Sequence, residues 1–203
     1  MNKGLLIVVS GPSGAGKGTI CKHLLNSMSN IKLSVSATTR AARTGETEGV
    51  SYFFIGKEEF ETMIHGDEFL ECAKVYDNYY GTPKKYVIDE IESGNDVLLE
   101  IDIQGALQVK NKYPDGVFIF VLPPSMKELK KRIISRGTES EDSINKRFKS
   151  AFEEINFVRK YDYCVVNDEV SNAVDKIKAI VQAEKCRVTK NIENLILRFK
   201  EEL

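Results

Sequence analysis

Leu5-Leu6-Ile7-Val8-Val9-Ser10-Gly11-Pro12-Ser13-Gly14-Ala15-Gly16-Lys17-Gly18-Thr19 joins a continuous apolar run to a glycine-rich loop that closes on a lysine. Unbroken apolar character before Ser10 marks a strand buried on both faces, as in parallel sheets covered by helices. The loop that follows has the phosphate-binding arrangement. Its glycines let backbone N–H groups curl around phosphate oxygens, and a helix expected from Lys17 to Met28 adds the favourable charge of its N-terminus. Lys17 is placed to reach the β- and γ-phosphates of a nucleotide. The residue after the lysine, usually Ser or Thr, is Gly18, and the hydroxyl comes one place later at Thr19. Thr19 is then a phosphate contact, and Mg²⁺ is expected to be held largely through water.

Working outward, three more apolar runs read as core strands: Asp96 to Asp102, Gly116 to Leu122 and the shorter Tyr163 to Val166. Helical patterns lie between or beside them, at Tyr86 to Ser93, Ala106 to Lys112, Met126 to Arg136 and Ser143 to Lys160. Ser125 and Glu128 have capping-box spacing before the third of these, and Gly137 is its expected stop. Strands alternating with helices predict an α/β fold with a doubly wound parallel sheet carrying the P-loop. Residues 37–83 break that rhythm, with short strands expected at Ser51 to Ile55 and Glu68 to Ala73 around a helix at Lys57 to His65. They read as an inserted, mixed α/β subdomain between the first and second core strands. The charged segment from Arg136 reads as a helical lid, about 136–160, leaving a core of about 1–36, 84–135 and 161–203. The tail beyond Asn172 is helical in pattern, with Ile177, Ile180 and Val181, then Leu195, Ile196 and Phe199, as its apolar faces.

With 29 basic and 30 acidic side chains the net charge is -1, which argues against a nucleic-acid-coating protein or a basic membrane binder. Cys21, Cys72, Cys164 and Cys186 are too scattered for a metal cluster or a disulfide framework, so all four are expected to be reduced and mostly core. The apolar run at Leu5 to Val9 is too short to span a membrane and enters a glycine loop rather than a cleavage site. A cytoplasmic protein is the expectation, with no obligate protein partner and with self-association left open.

A second cluster speaks of an anionic acceptor. In Ser36-Ala37-Thr38-Thr39-Arg40-Ala41-Ala42-Arg43, two guanidiniums stand three residues apart, and arginine forks suit phosphate oxygens. Tyr52 and Tyr80 could complete a monophosphate site with their hydroxyls. Taken singly, Arg40 and Arg43 are equally compatible with solvated charge, Tyr52 with a half-buried strand and Glu71 with an exposed strand face. His23 and His65 read as structural or surface residues.

The order P-loop, S-x-T-T-R-x-x-R, G-x-x-Y-x-F, E-F-L-E, N-Y-Y-G-T, L-E-I-D-I-Q-G and R-G-T-E-S-E-D-S-I-N-K-R-F resembles guanylate kinase over nearly the whole chain. That resemblance implies transfer of the γ-phosphoryl group of Mg·ATP to GMP, with dGMP as a further acceptor. It places ATP on Gly11, Pro12, Ser13, Gly14, Ala15, Gly16, Lys17, Gly18 and Thr19, with Arg132 nearby and Asn167 and Asp168 near the adenine. The GMP phosphate falls to Arg40, Arg43, Tyr52 and Tyr80, and the guanine to Ser36, Glu71, Thr82 and Asp102. Lys17, Arg40 and the lid residues Arg136 and Arg147 would surround the transferring phosphate. Where family members often carry aspartate this chain has Glu100, the candidate Mg²⁺ carboxylate, directly or through water.

Guanine chemistry supports the same residues independently. The base shows two adjacent donors, N1–H and the 2-amino group, which one carboxylate such as Glu71 can accept, while hydroxyls at Ser36 and Thr82 can donate to O6. Adenine has no 2-amino donor and would leave a buried carboxylate unpaired, and sites built this way discriminate by ~10⁴-fold. Two alternatives stay open: another P-loop kinase with a small phosphate acceptor, and a protein-binding module of guanylate-kinase type without turnover.

Overall fold

The run Leu6–Ser10 forms a strand of five buried residues at the centre of a parallel sheet. The computed structural model that shows this describes residues 3–75, 77–134, 141–188 and 192–202, with 141–147 and 193–195 described by their backbone alone. In chain order the strands are β1 (Leu6–Ser10), β2 (Ile31–Leu33), β3 (Ala37–Thr38), β4 (Phe53–Phe54), β5 (Phe69–Val75), β6 (Asn78–Pro83), β7 (Asp96–Glu100), β8 (Val117–Leu122) and β9 (Tyr163–Val166). The helices are α1 (Lys17–Ser27), α2 (Lys57–His65), α3 (Lys84–Glu92), α4 (Ile103–Lys112), α5 (Met126–Ile134), α6 (Glu141–Ile155), α7 (Val170–Lys185) and α8 (Ile192–Glu201), with a 3-10 turn at Asn156–Lys160.

The core sheet runs β2-β7-β1-β8-β9, every pair parallel. Both of its faces are covered. Ile7 and Val9 of β1 pack with Ile20 and Leu24 of α1 and Ile177 and Val181 of α7. Leu6 and Val8 point the other way, onto Val87 and Ile91 of α3 and Ala106 and Val109 of α4. Each residue of β1 is therefore dry whichever face it serves, and the sequence shows no polar alternation. The strand order reverses at β1, so the crevice beyond its carboxyl end is a topological switch point, where open α/β sheets bind ligands.

A second sheet, β4-β3-β6-β5, is built from the inserted residues, with β5 and β3 antiparallel to β6 and β3 parallel to β4. Helix α2 packs beside it through Phe60, whose ring stacks on Phe69 at 4.4 Å and on Tyr79 at 5.3 Å.

Several expectations change. Strand β2 adds a core edge strand that the sequence reading lacked, and the second sheet follows it, between β2 and β7. Its three residues carry Lys32 in the middle, and only Ile31 is buried, so no apolar run announces it. The run expected to stay extended to Asp102 ends at Glu100, because Asp102 caps α4 by accepting the Gly105 N–H at 2.8 Å. Helix α5 opens as expected, with Ser125 Oγ accepting the Glu128 N–H at 3.1 Å; Gly137 lies outside the described residues. The tail forms two helices, α7 and α8. Its first apolar face, Ile177 and Val181, is core, whereas Ile196 and Phe199 of α8 are exposed. All four cysteines are free, but only Cys21 is buried, and Cys164 and Cys186 are exposed. Among the described residues no helix is long and apolar enough to cross a membrane.

Candidate active site

The phosphate loop leaves the carboxyl end of β1 and turns directly into α1. Gly16 is the N-cap residue of that helix and has φ 93°, a left-handed conformation that disfavours any side chain. A Cβ there would also stand 2.3 Å from Asn167 Nδ2. Lys17 folds back over its own loop, donating from Nζ to the Gly11 carbonyl at 2.6 Å and to the Pro12 carbonyl at 3.2 Å. Burial pushes its ammonium below the ordinary lysine range, with Glu100, Glu154 and Asp102 opposing that shift. A lysine whose charge costs desolvation has most to gain from an anion placed beside it.

Toward β9, a cavity of about 350 Å³ is lined by Gly14, Gly16, Thr19, Arg132, Asn167, Asp168 and Val170. Asn167 is 3% exposed, donates from Nδ2 to the Ala15 carbonyl at 2.8 Å and so props the loop from below. Its buried Oδ1 has no protein hydrogen-bond partner among the described residues. Arg132 is held between Glu128 Oε1 and the Asn167 carbonyl, each at 3.2 Å. Six residues expected at the ATP thus meet in one cavity, and Val170 is the lining residue the motif did not supply.

Toward the second sheet, another cavity of about 330 Å³ is lined by Ser36, Tyr52, Glu71, Ala73, Val75, Tyr80, Ile101 and Asp102. Five of these were expected. Glu71 is 8% exposed, and burial, the largest cause, raises its pKa, with the nearby Asp102 charge adding to the rise. Thr82 is buried behind it and donates its hydroxyl to Glu71 Oε1 at 2.7 Å. This alters the expectation for Thr82: its proton goes to the carboxylate rather than to a base. Thr82 and Glu71 stand opposite each other on β6 and β5, which brings the two side chains together.

Arg40, Tyr52 and Tyr80 form a chain at the mouth of this cavity. The guanidinium lies 5.6 Å from the Tyr52 ring centre, and the Tyr52 and Tyr80 rings meet edge-on at 6.0 Å. Sequence reasoning missed Glu46, which takes both prongs of Arg40 at 2.8 and 3.0 Å and the Arg43 N–H at 2.7 Å. Its spacing, six residues after Arg40 in a polar loop, gave no signal. The Arg43 side chain is exposed. Glu154 of α6 was also missed; it accepts the Ser13 N–H at 3.4 Å and reaches the loop across 141 residues of chain. Of the two arginines expected on a lid, Arg136 lies outside the described residues, and Arg147 sits within α6 with its side chain likewise outside them.

Glu100, at the end of β7, lies over the start of α1. A Cβ on Gly18 would stand 3.2 Å from Glu100 Oε1, so the bare position after the lysine makes room for this carboxylate. Hard oxygen donors of this kind, one carboxylate beside a phosphate loop, fit Mg²⁺, which takes one or two carboxylates together with phosphate and water oxygens.

A phosphate loop at the switch point of a β2-β7-β1-β8-β9 sheet, with one cavity toward β9 and another shared with an inserted sheet, defines a P-loop nucleotide kinase architecture. The family model for guanylate kinase matches residues 3–184. The guanylate kinase of Caldanaerobacter subterraneus subsp. tengcongensis is 64% identical over 200 residues, covering 98% of this chain and 97% of that protein. The one from Clostridium tetani is 63% identical over 201 residues, 99% of this chain and 96% of the relative. A crystal structure of guanylate kinase from Anaplasma phagocytophilum superposes with a TM-score of 0.75 at 36% identity, covering 96% of this chain and 94% of its own. The chain belongs to the guanylate kinase family.

Proposed function

We propose that the chain transfers the γ-phosphoryl group of Mg·ATP to GMP, giving ADP and GDP, with ATP in the cavity toward β9 and GMP in the cavity of the second sheet. The observation that carries the acceptor assignment is the buried carboxylate of Glu71 in a base-sized cavity, held by Thr82 at 2.7 Å. A carboxylate suits the two adjacent donors of guanine, and Ser36 and Asp102 line the same cavity. Residues 37–83 are then the GMP-binding insert and 136–160 the lid. dGMP fits the same base-reading set, and a cytoplasmic location, where nucleotide pools are at hand, belongs to the same proposal.

In the reaction a GMP phosphate oxygen forms a new bond to the γ-phosphorus as the bond to the bridging oxygen of ADP breaks. The second ionisation of a phosphate monoester lies near pH 6, so the nucleophile needs no general base at neutral pH. The protein's work is positioning and charge neutralisation. Arg40, with Tyr52 and Tyr80, orients the acceptor phosphate, and Arg43 adds a second guanidinium to it. Lys17 gives its ammonium to the β- and γ-phosphate oxygens, and the loop amides cradle them. Arg136 and Arg147 retain the clamping role that the family resemblance implies. Mg²⁺ supplies charge neutralisation of the phosphate oxygens, and Glu100 is the residue that would hold it.

The test follows ADP formation by purified protein with ATP and Mg²⁺, offering GMP, AMP, CMP and UMP separately, with Lys17→Ala as control. Turnover confined to GMP and lost in the control is expected. Turnover with another acceptor instead sinks the GMP assignment, and turnover with none returns the chain to the protein-binding alternative.

A further inference from the structure

Strand β5 lies at the outer edge of the second sheet, and an unpaired strand edge must find partners for its backbone. Helix α4 of the core supplies them from one face. Gly105, Gln108 and Lys112 stand at i, i+3 and i+7, the spacing that aligns residues along a helix. Gln108 closes a two-bond ring on Cys72, accepting its N–H at 3.1 Å and donating Nε2 to its carbonyl at 3.2 Å. Lys112 donates to the Phe69 carbonyl at 2.7 Å and to Asp67 at 2.6 Å. Between these two anchorages sits Glu71, and its carboxylate rests on Gly105. A Cβ at that glycine would lie 3.0 Å from Glu71 Oε2 and 3.4 Å from Asp102 Oδ1. The same helix begins with Asp102 as its cap.

We infer that Gln108 is a positioning residue for acceptor recognition, fixing the depth of Glu71 by clamping the neighbouring main chain to α4, and that Gly105 is kept bare so that this carboxylate can lie on the helix. One helix thereby sets both Glu71 and Asp102, across the join between the core and the second sheet. The inference rests on the proposal that these two carboxylates read guanine. Gln108 is not among the residues that line the cavity, and its two bonds go to Cys72, which stands between the lining residues Glu71 and Ala73.

The experiment compares the full-length wild-type chain with Gln108→Leu, which keeps the volume and loses both bonds, and with Gly105→Ala. For each, KM for GMP and for ATP, GMP affinity by calorimetry, the GMP-over-AMP ratio of kcat/KM and the melting temperature are measured. Both variants are expected to raise KM and Kd for GMP about fivefold to tenfold while KM for ATP stays within about twofold. Gly105→Ala should do so without a lower melting temperature, because Ala is the better helix former. That split separates positioning from stability, and Gly105→Ala carries the test alone should Gln108→Leu not fold. Wild-type GMP affinity and selectivity in folded variants overturns the inference. Wild-type protein that binds GMP without turnover removes the kinase reading, and the variants' Kd values still decide the positioning. Wild-type protein that binds no GMP overturns both.

Discussion

Glu71→Gln exchanges one oxygen of the buried carboxylate for an amide group without changing the shape of the side chain. Thr82 dictates the orientation, because its hydroxyl donates to Oε1 at 2.7 Å and an amide nitrogen placed there would meet a donor. The amide oxygen therefore takes the Thr82 bond, and the NH₂ group turns to the place of Oε2. There it faces the donor edge of guanine. Hydrogen bonds to a charged acceptor are worth about 1.5–3 kcal/mol each, so losing two removes about 3 to 6 kcal/mol, a factor of roughly 10² to 10⁴ in kcat/KM for GMP. AMP offers N1 as an acceptor and should lose nothing. The coupled ADP assay with each nucleotide reads both numbers, and KM for ATP should remain within about twofold, because Glu71 is remote from that cavity. Unchanged preference for GMP over AMP in a folded Glu71→Gln protein would refute the assignment of guanine recognition to this carboxylate.

The same substitution should not harm the fold. Burial raises the Glu71 pKa above the usual glutamate value, so the folded chain binds this proton more tightly than the unfolded chain does. A carboxyl shifted in that direction adds stability below its unfolded pKa of about 4.3 and loses that contribution as pH rises through the folded value. At pH 7 the wild type therefore bears the desolvation of a buried charge that glutamine lacks. Thermal melts should place Glu71→Gln at or above the wild type at pH 7, with the gap closing toward pH 4. Function and stability move in opposite directions, as expected where a site stores an unfavourable charge for recognition.

Asn167→Ala should raise KM for ATP about tenfold and lower stability by about 1–3 kcal/mol, since it strands the buried Ala15 carbonyl beneath the phosphate loop. GMP affinity measured by calorimetry should not change, and an unaltered KM for ATP would contradict the propping role. Lys185→Ala should destabilise the fold by about 2 kcal/mol in urea titrations while leaving kcat intact. It uncovers Asp96, 1% exposed, whose Oδ2 meets Lys185 Nζ at 2.6 Å as an ion pair rather than an aligned hydrogen bond.

Much of this was legible in the chain because the signals are local. The phosphate loop declares itself through glycines required at fixed places, and β1 through apolar residues that face two helix layers at once. The proposed acceptor set was legible only as a family pattern: Ser36, Tyr52, Glu71, Tyr80 and Asp102, which line one cavity, come from separate elements, and no periodicity joins them. What escaped were partnerships between distant charged and polar residues. Glu46 is one carboxylate among thirty acidic side chains until the loop folds it onto Arg40, and Glu154 is an ordinary residue of a charged helix until α6 lies against Ser13. The strands β2, β3 and β6 escaped for a related reason. They are held by register with their neighbours rather than by an apolar run of their own, and β6 carries the tyrosines and glycine of the acceptor motif.

These carboxylate partnerships bear on what the site selects. The fork of Arg40 is taken by Glu46, the Ser13 amide by Glu154, and Lys17 lies in the field of Glu100. A ligand anion must compete with an anion that the chain itself provides, and a single carboxylate or a weakly charged ion gains little from such an exchange. A phosphate monoester near −2 or a nucleoside triphosphate gains more, because each replaces one charge by several and presents three oxygens to donors already arranged for them. The internal carboxylates also hold the arginine fork and the loop in place beforehand, which lowers the ordering cost of binding. Under the proposed assignment, selectivity for phosphate resides in the pairing of each cation with a weaker internal rival, and selectivity for guanine in the buried carboxylate that lies against α4.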